Sequence, residues 1–585
     1  MKNRNFKILL LLLSLFFTAI NCWSQDNHFL NATDFSVDNT GTSDNYNALD
    51  DLFTDHPNSD IYLPPGIYII NNNPSVHANG YLNINNYQGH LLAAGNAIIR
   101  FTYPSGGLNF IGGTGAKIEN LHIEYSTLPT TRNDLHAINI GFAQNTIVNN
   151  ITVNGSGGVG LLFNLCYNPQ VSNIHVTNTM ADGCSFYSCE NVQLNGLITE
   201  NTGDDALAFF NYNQKPDLDK ATVSNLIIKE SYARGIAING TSDIKITNFS
   251  IDSTSGPGIY VSKETSVYSG PANICISNGN VNYGGVLTGR GTTGSKHGIS
   301  ITAAAGVYLD NIAIKHSKEK GLSVYNTKYA DISHIAVDSS GTIDVLADLN
   351  TKVVLKDISS TGAGEYGFKA TRNTNVIAEN IAVTNAWRGT STNLHRAIWF
   401  ELNENFFADQ MTVIDDTPTA ALAYIAGEYN TTGSGYFGDI KYKIAAGTPS
   451  FSLAISSANV KSGFVNLLPK DGVTNGVVYQ GAKSLLTTPA GTTGQLLTYT
   501  TKPEWVTPAF ATVVNGPAST SFTGATSYTV TYTTPGFTPS NVLWTPTGSI
   551  GSSGWYITNI TSTGFTINFS AAPSGTVTGK YTLIK

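Results

Sequence analysis

The feature that most constrains this chain is a pair of short apolar segments that returns at a step of 23 residues. Segments of the Asn-Ile-x-Val kind, such as VNNITV, VSNIHV, VSNLII and VIAENIAV, are each followed by a polar turn and a second short strand. The second strands include VGLLF (159–163), DGCSF (182–186), DALAF (205–209), RGIAI (234–238), PGIYV (257–261), HGISI (297–301) and KGLSV (320–324). Their first residues are separated by 23, 23, 29, 23, 40 and 23 positions. A constant step broken by insertions is one coil of a solenoid with loops leaving its wall. A propeller blade would repeat every 40–45 or so residues, and leucine-rich repeats would show regular leucines. The expected fold is therefore all-β: a right-handed parallel β-helix.

Strand alternation sets the register. Leu161, Cys184, Leu207, Ile236, Ile259, Ile299 and Leu322 form one inward column, and Phe163, Phe186, Phe209, Ile238, Val261, Ile301 and Val324 a second. Composition agrees, because only 12% of residues are charged and there are 57 glycines, a balance suited to strands and turns rather than helical surfaces. Cys166 and Cys189 are also 23 apart and are expected to stack in the wall.

The ends of the chain read differently. Residues 1–25, with Lys2, Arg4 and Lys7 ahead of an apolar run, are expected to be a signal peptide. The protein is then secreted, to the extracellular space or the periplasm, or held at the cell surface, and no later run is long and apolar enough for a transmembrane segment. Removing that leader takes the net charge from −8 to −11, which argues against nucleic acid as a partner. Residues 26–455 are assigned to the β-helix, with a short N-terminal capping helix in the stretch FSVDNTGTSDNYNALDDLF. Residues 456–509 are expected to be a linker or small β module. Residues 510–585 alternate polar and apolar positions and read as a C-terminal β-sandwich module.

Strand alternation is also read as turning the first residues of the second strands outward, as a column of His136, Val159, Asp182, Asp205, Arg234, Pro257, His297 and Lys320. Adjacent coils lie about 4.8 Å apart, so Asp182 and Asp205 should be neighbours, with Asp204 beside them. Carboxylates this close repel, which keeps one of them protonated near neutral pH. A protonated acid can donate to a departing glycosidic oxygen while an ionised one activates water. Asp182, Asp204 and Asp205 are the candidate catalytic residues, with Asp205 expected as proton donor. Ser185, Ala208 and Ala237 are expected to leave a floor for a sugar, beside Tyr187 and Phe210 as stacking rings. Loops near 211–220 and 281–296 would form the walls. Arg234, Tyr260, Lys263 and His136 complete the expected substrate contacts. No cofactor is required, although the clustered hard oxygens could hold calcium, and the acids could also be plain turn residues.

The segment IYLPPGIYII and the coils over roughly 29–450 resemble the pectate-lyase-like β-helix superfamily. Asp182 in MADG and the Asp204-Asp205 pair in TGDDA resemble the polygalacturonase-like glycoside hydrolases, whose inverting, paired-carboxylate hydrolysis this resemblance implies. That family's Gly-His-Gly is replaced here by Ala233-Arg234-Gly235, and its Arg-x-Lys by Tyr260-Val261-Ser262-Lys263. The C-terminal module resembles phage tail-fibre and lectin-like β domains, which implies glycan binding or assembly into a homotrimer, alongside plain capping. The functional expectation is a carbohydrate-active enzyme, a glycoside hydrolase acting on a polysaccharide substrate. A polysaccharide lyase on a uronic-acid polymer and a non-catalytic glycan-binding adhesin or tailspike-like protein are the alternatives.

Overall fold

The computed structural model describes residues 29–386, apart from 78–79, 212–219, 265–269 and 289–293. Beyond 395 it describes mainly strand segments. The expected signal peptide lies outside the described residues. No helix among them is long and apolar enough to cross a membrane.

The first of the two units, ending at Thr487, is a right-handed parallel β-helix. One wall is a 15-stranded parallel sheet, counted over the described residues. Its strands Leu161–Asn164, Cys184–Tyr187, Leu207–Phe210, Ile236–Asn239 and Ile259–Ser262 pair in coil order. Leu161, Cys184, Leu207, Ile236 and Ile259 stand in register and are fully buried, as the sequence columns require. Beside them Phe163, Phe186 and Phe209 stack at 4.9 and 5.2 Å between ring centroids. Offset rings at this spacing add dispersion to simple burial.

The Asn of the repeat motif has its own physical reason. In the other wall, strands such as Ile147–Ser156 and Gln170–Thr179 each hold two residues with positive φ, and the first of the two belongs to the repeat motif. That residue is Asn150 (φ 55°), Asn173 (54°), Asn225 (61°), Asn248 (57°), Asn278 (58°) and Asn311 (54°) in successive coils, with Gly196 (82°) taking the place once. Left-handed backbone costs most side chains about 1–2 kcal/mol, and Asn and Gly least. The carboxamides also bridge coils, as where Asn311 Nδ2 donates to Asn278 Oδ1 at 2.8 Å. The turn thus breaks each long strand at a fixed place and aims the next apolar pair inward.

The helix Tyr46–Asp55 buries Leu49, Leu52 and Phe53 in the same core, which is the capping helix expected near the first coil. Cys166 and Cys189 are buried neighbours, the Cys166 N–H lying 3.5 Å from Cys189 Sγ. Parallel pairing continues past residue 455, to Val465–Pro469 against Ile440–Ile444. The regular Asn turn does not persist there, which is why the sequence pattern fades before the coils do. In the second unit, Thr488–Lys585, antiparallel strands close a small core of Val530, Val542, Phe565, Ile567, Phe569 and Val577.

Candidate active site

The bend ahead of each strand of the 15-stranded sheet turns the chain sharply. A Cβ added at Gly183 would meet the buried Thr199 and Thr202 methyl groups at 2.8 and 3.1 Å, so that position faces the core. Its predecessor Asp182 is thereby aimed to the outside, where it meets the outward Ser185. The bend, not strand alternation, makes the column outward.

Once there, the side chains cap the next coil. His136 Nδ1 accepts the Val159 N–H at 3.0 Å, Asp182 Oδ1 accepts the Asp205 N–H at 3.2 Å, and Asp205 Oδ1 accepts the Arg234 N–H at 3.0 Å. Three expected site residues therefore share one structural task, satisfying amides that the bend leaves without a ladder partner. Asp182 Oδ2 also accepts from Ser185 Oγ at 2.5 Å and lies 3.4 Å from Tyr187 Oη. Arg234 Nε sits 2.8 Å from Asp205 Oδ1, off the line of a hydrogen bond, and its guanidinium lies 5.1 Å from the Tyr260 ring centroid. Its Nη2 is 3.7 Å from Glu264.

Asp182, Asp204 and Asp205 bring carboxylate oxygens within 4.8 Å of one another. Their exposure differs. Asp205 is 1% exposed and Asp182 4%, whereas the Asp204 side chain is 24% exposed and is met by Arg132 at 2.5 Å. Burial, reinforced by Asp204, pushes the Asp182 carboxyl up to about 6 against the opposing pull of Ser185 and the two guanidinium groups. Burial also raises Asp205, opposed by the adjacent Arg234. These three carboxyl groups, with Glu264 a fourth beside Arg234, outnumber the two permanently charged guanidinium groups that face them. Such a cluster titrates as a unit.

The three acids bring oxygens close enough together to hold a cation, but calcium would have to compete with the two arginines for them. Calcium takes six to eight oxygens, whereas here Asp205 is engaged by Arg234 and Asp204 by Arg132. The separation also bears on stereochemistry. Inverting glycosidases hold their carboxyl groups about 6.5–9.5 Å apart to admit water. The present oxygens are closer, so inversion rests on the sequence resemblance alone.

Several expected contacts are placed differently from their sequence reading. Phe210 is 4% exposed and packs with Ala208 and Ala237, both fully buried, so it offers no free face to a sugar. Ser185, Ala208 and Ala237 point away from the solenoid core yet are covered, so they are no open floor. Tyr187 is half-buried and meets Phe210 edge-on at 5.6 Å. His136 lies two coils before Asp182; burial lowers it to about 4, so its ring is neutral, with Nδ1 engaged. Lys263 is exposed at the end of the strand two coils past Asp205. Of the expected walls, 212–219 and 289–293 lie outside the described residues.

Sequence reading passed over Arg132 and Glu264. The signal for Arg132 was an insertion: Leu108 and Ile138 pair in register 30 residues apart instead of 23, and the extra residues carry it.

No family model matches the chain, and no curated protein does. Among solved structures, it is similar to the catalytic unit of a GH87 α-1,3-glucanase from Streptomyces thermodiastaticus, with 17% identity, 75% of this chain and 70% of that one covered, and a TM-score of 0.38. It is similar to a family 28 exopolygalacturonase from Yersinia enterocolitica, with 12% identity, 69% and 78% coverage and a TM-score of 0.42. It is also similar to PfbA, a surface adhesin of Streptococcus pneumoniae, with 12% identity, 79% and 98% coverage and a TM-score of 0.32.

Proposed function

We propose that the chain is an exported glycoside hydrolase that cleaves a polysaccharide at the Asp182–Asp204–Asp205 cluster. The observation that carries this reading is the charge arrangement: three carboxyl groups with oxygens within 4.8 Å of one another, faced by Arg132 and Arg234, with Asp182 raised to about 6. A group with that value exchanges its proton readily in the mildly acidic to neutral range.

Exposure divides the roles. Asp205 is too buried to touch a glycosidic oxygen and serves as counter-charge to Arg234, so the donor role expected for it passes to Asp204. Asp204 is the exposed member, and it delivers the proton that Asp182 holds in reserve. The C–O bond breaks as the leaving oxygen takes this proton. Water then bonds to the anomeric carbon and returns its own proton to the cluster. Arg132, 58% exposed, can leave Asp204 for an acidic or hydroxyl group of the substrate, freeing the carboxyl to act.

A lyase on a uronic-acid polymer is the second reading, favoured by the two guanidinium groups and by Tyr187 Oη, 3.4 Å from Asp182. Incubation with a panel of neutral and acidic polysaccharides separates the two. New reducing ends without ultraviolet absorbance support hydrolysis, unsaturated products support the lyase, and silence across the panel removes both.

A further inference from the structure

The outward column that begins beside the acids at Ala208 runs along the same sheet, past Ser300 and Ser323, to Lys369 and Trp399. Six strand steps separate Ala208 from Lys369, about 29 Å at the spacing of parallel strands. From Ala208 to Leu346 the column is covered apart from the half-buried Tyr260, and it becomes partly exposed again at Lys369 and Trp399, beside Tyr366. Tyr366 and Trp399 lie 5.2 Å apart between centroids, and Lys369 Nζ sits 3.7 Å from the centre of the Trp399 ring. The position after Trp399 in the column is Gly427.

Polar groups border the rings. Lys369 Nζ is 3.0 Å from Glu401, and Arg372 grips Asp348 through two hydrogen bonds, at 2.9 and 2.5 Å. Two cations and two anions cancel, so the patch has directional donors and acceptors but no net charge. All six side chains are at least partly exposed except Asp348, which is held for Arg372. Apolar ring faces with a few fixed polar groups are what a pyranose needs, since its C–H faces stack while its hydroxyls bond at the rim.

The geometry points to a second carbohydrate-binding site at Trp399, Tyr366 and Lys369, which takes a neutral stretch of a polysaccharide. It rests on the reading of this face as a glycan face, but not on catalysis. Bound there, a long chain is held several sugar units from the acids, so the site favours polymers over short oligosaccharides.

The test is affinity electrophoresis of the full-length protein in gels containing neutral polysaccharides (xylan, dextran, mixed-linkage β-glucan) or anionic ones (polygalacturonate, alginate). Retardation by at least one neutral polymer is expected. Trp399→Ala and Lys369→Ala should each weaken it roughly tenfold, the loss of one aromatic contact and its desolvated partner. Asp204→Asn should leave it unchanged. Lys369→Ala decides the matter if Trp399→Ala does not fold. Retardation untouched by the substitutions, by anionic polymers alone, or by none overturns the site. Retardation that is lost in Trp399→Ala while the wild type releases no reducing ends supports the site and removes the hydrolase reading instead.

Discussion

Arg132 and Asp204 are 72 residues apart in the chain, yet Arg132 Nη1 donates to Asp204 Oδ2 at 2.5 Å. The contact joins a loop on an early coil to the one exposed member of a buried acid cluster. In the proposed reaction it links substrate capture to proton delivery, and so Arg132→Gln should lower kcat/KM by roughly ten- to a hundredfold, the scale of a single charge-assisted contact. Steady-state kinetics check this. An unchanged kcat/KM would make the pair a surface ion pair with no catalytic part.

The three acids should differ in what their loss costs. Asp204→Asn is expected to reduce activity roughly a hundred- to ten-thousand-fold with little change in melting temperature. Asp205→Asn removes the buried partner of Arg234 and should destabilise the protein by about 3 kcal/mol as well. Thermal melts of both variants beside their kinetics separate chemistry from scaffolding.

Asp344 provides a pH test of the core. It is fully buried where neighbouring coils carry Gly321 and Gly367, and it accepts from Ser360 Oγ at 2.6 Å and Ser340 N–H at 3.2 Å. Burial raises it from 3.8 to about 7. Because the folded value is the higher one, the folded state binds the proton more tightly. The stability is full below about pH 4 and is lost as pH rises through 7, by up to about 4 kcal/mol. Asp344→Asn should therefore melt at a temperature that changes less between pH 5 and 8 than that of the wild type.

The turn column predicts a graded series. Asn173 has φ 54° and donates to Asn149 Oδ1 at 3.0 Å. Asn173→Ala should cost about 1–2 kcal/mol and Asn173→Gly less, since glycine accepts left-handed backbone without strain. Chemical denaturation reads the difference directly.

The fold was legible because each coil repeats the same two local rules, an Asn that accepts left-handed backbone and a pair of apolar residues that must face inward. Asp182, Asp205 and Arg234 were legible for the same reason, as they occupy one position of that repeat. Arg132 was not, because it sits in an insertion where the 23-residue register lapses and only the folded loop brings it back to Asp204. Phe210 misled in the opposite way. Its register correctly placed it outside the solenoid core, but no repeat pattern reveals that an outward ring is covered by its own surroundings.

The most direct test of the central claim is the fate of water oxygen. The protein should be incubated with a responsive polysaccharide in water enriched in oxygen-18, and the products read by mass spectrometry beside those of Asp204→Asn. Hydrolysis at the acid cluster predicts one heavy oxygen at each new reducing end, with the signal lost in the variant. Unlabelled, unsaturated ends, or labelled ends that persist in Asp204→Asn, would contradict it.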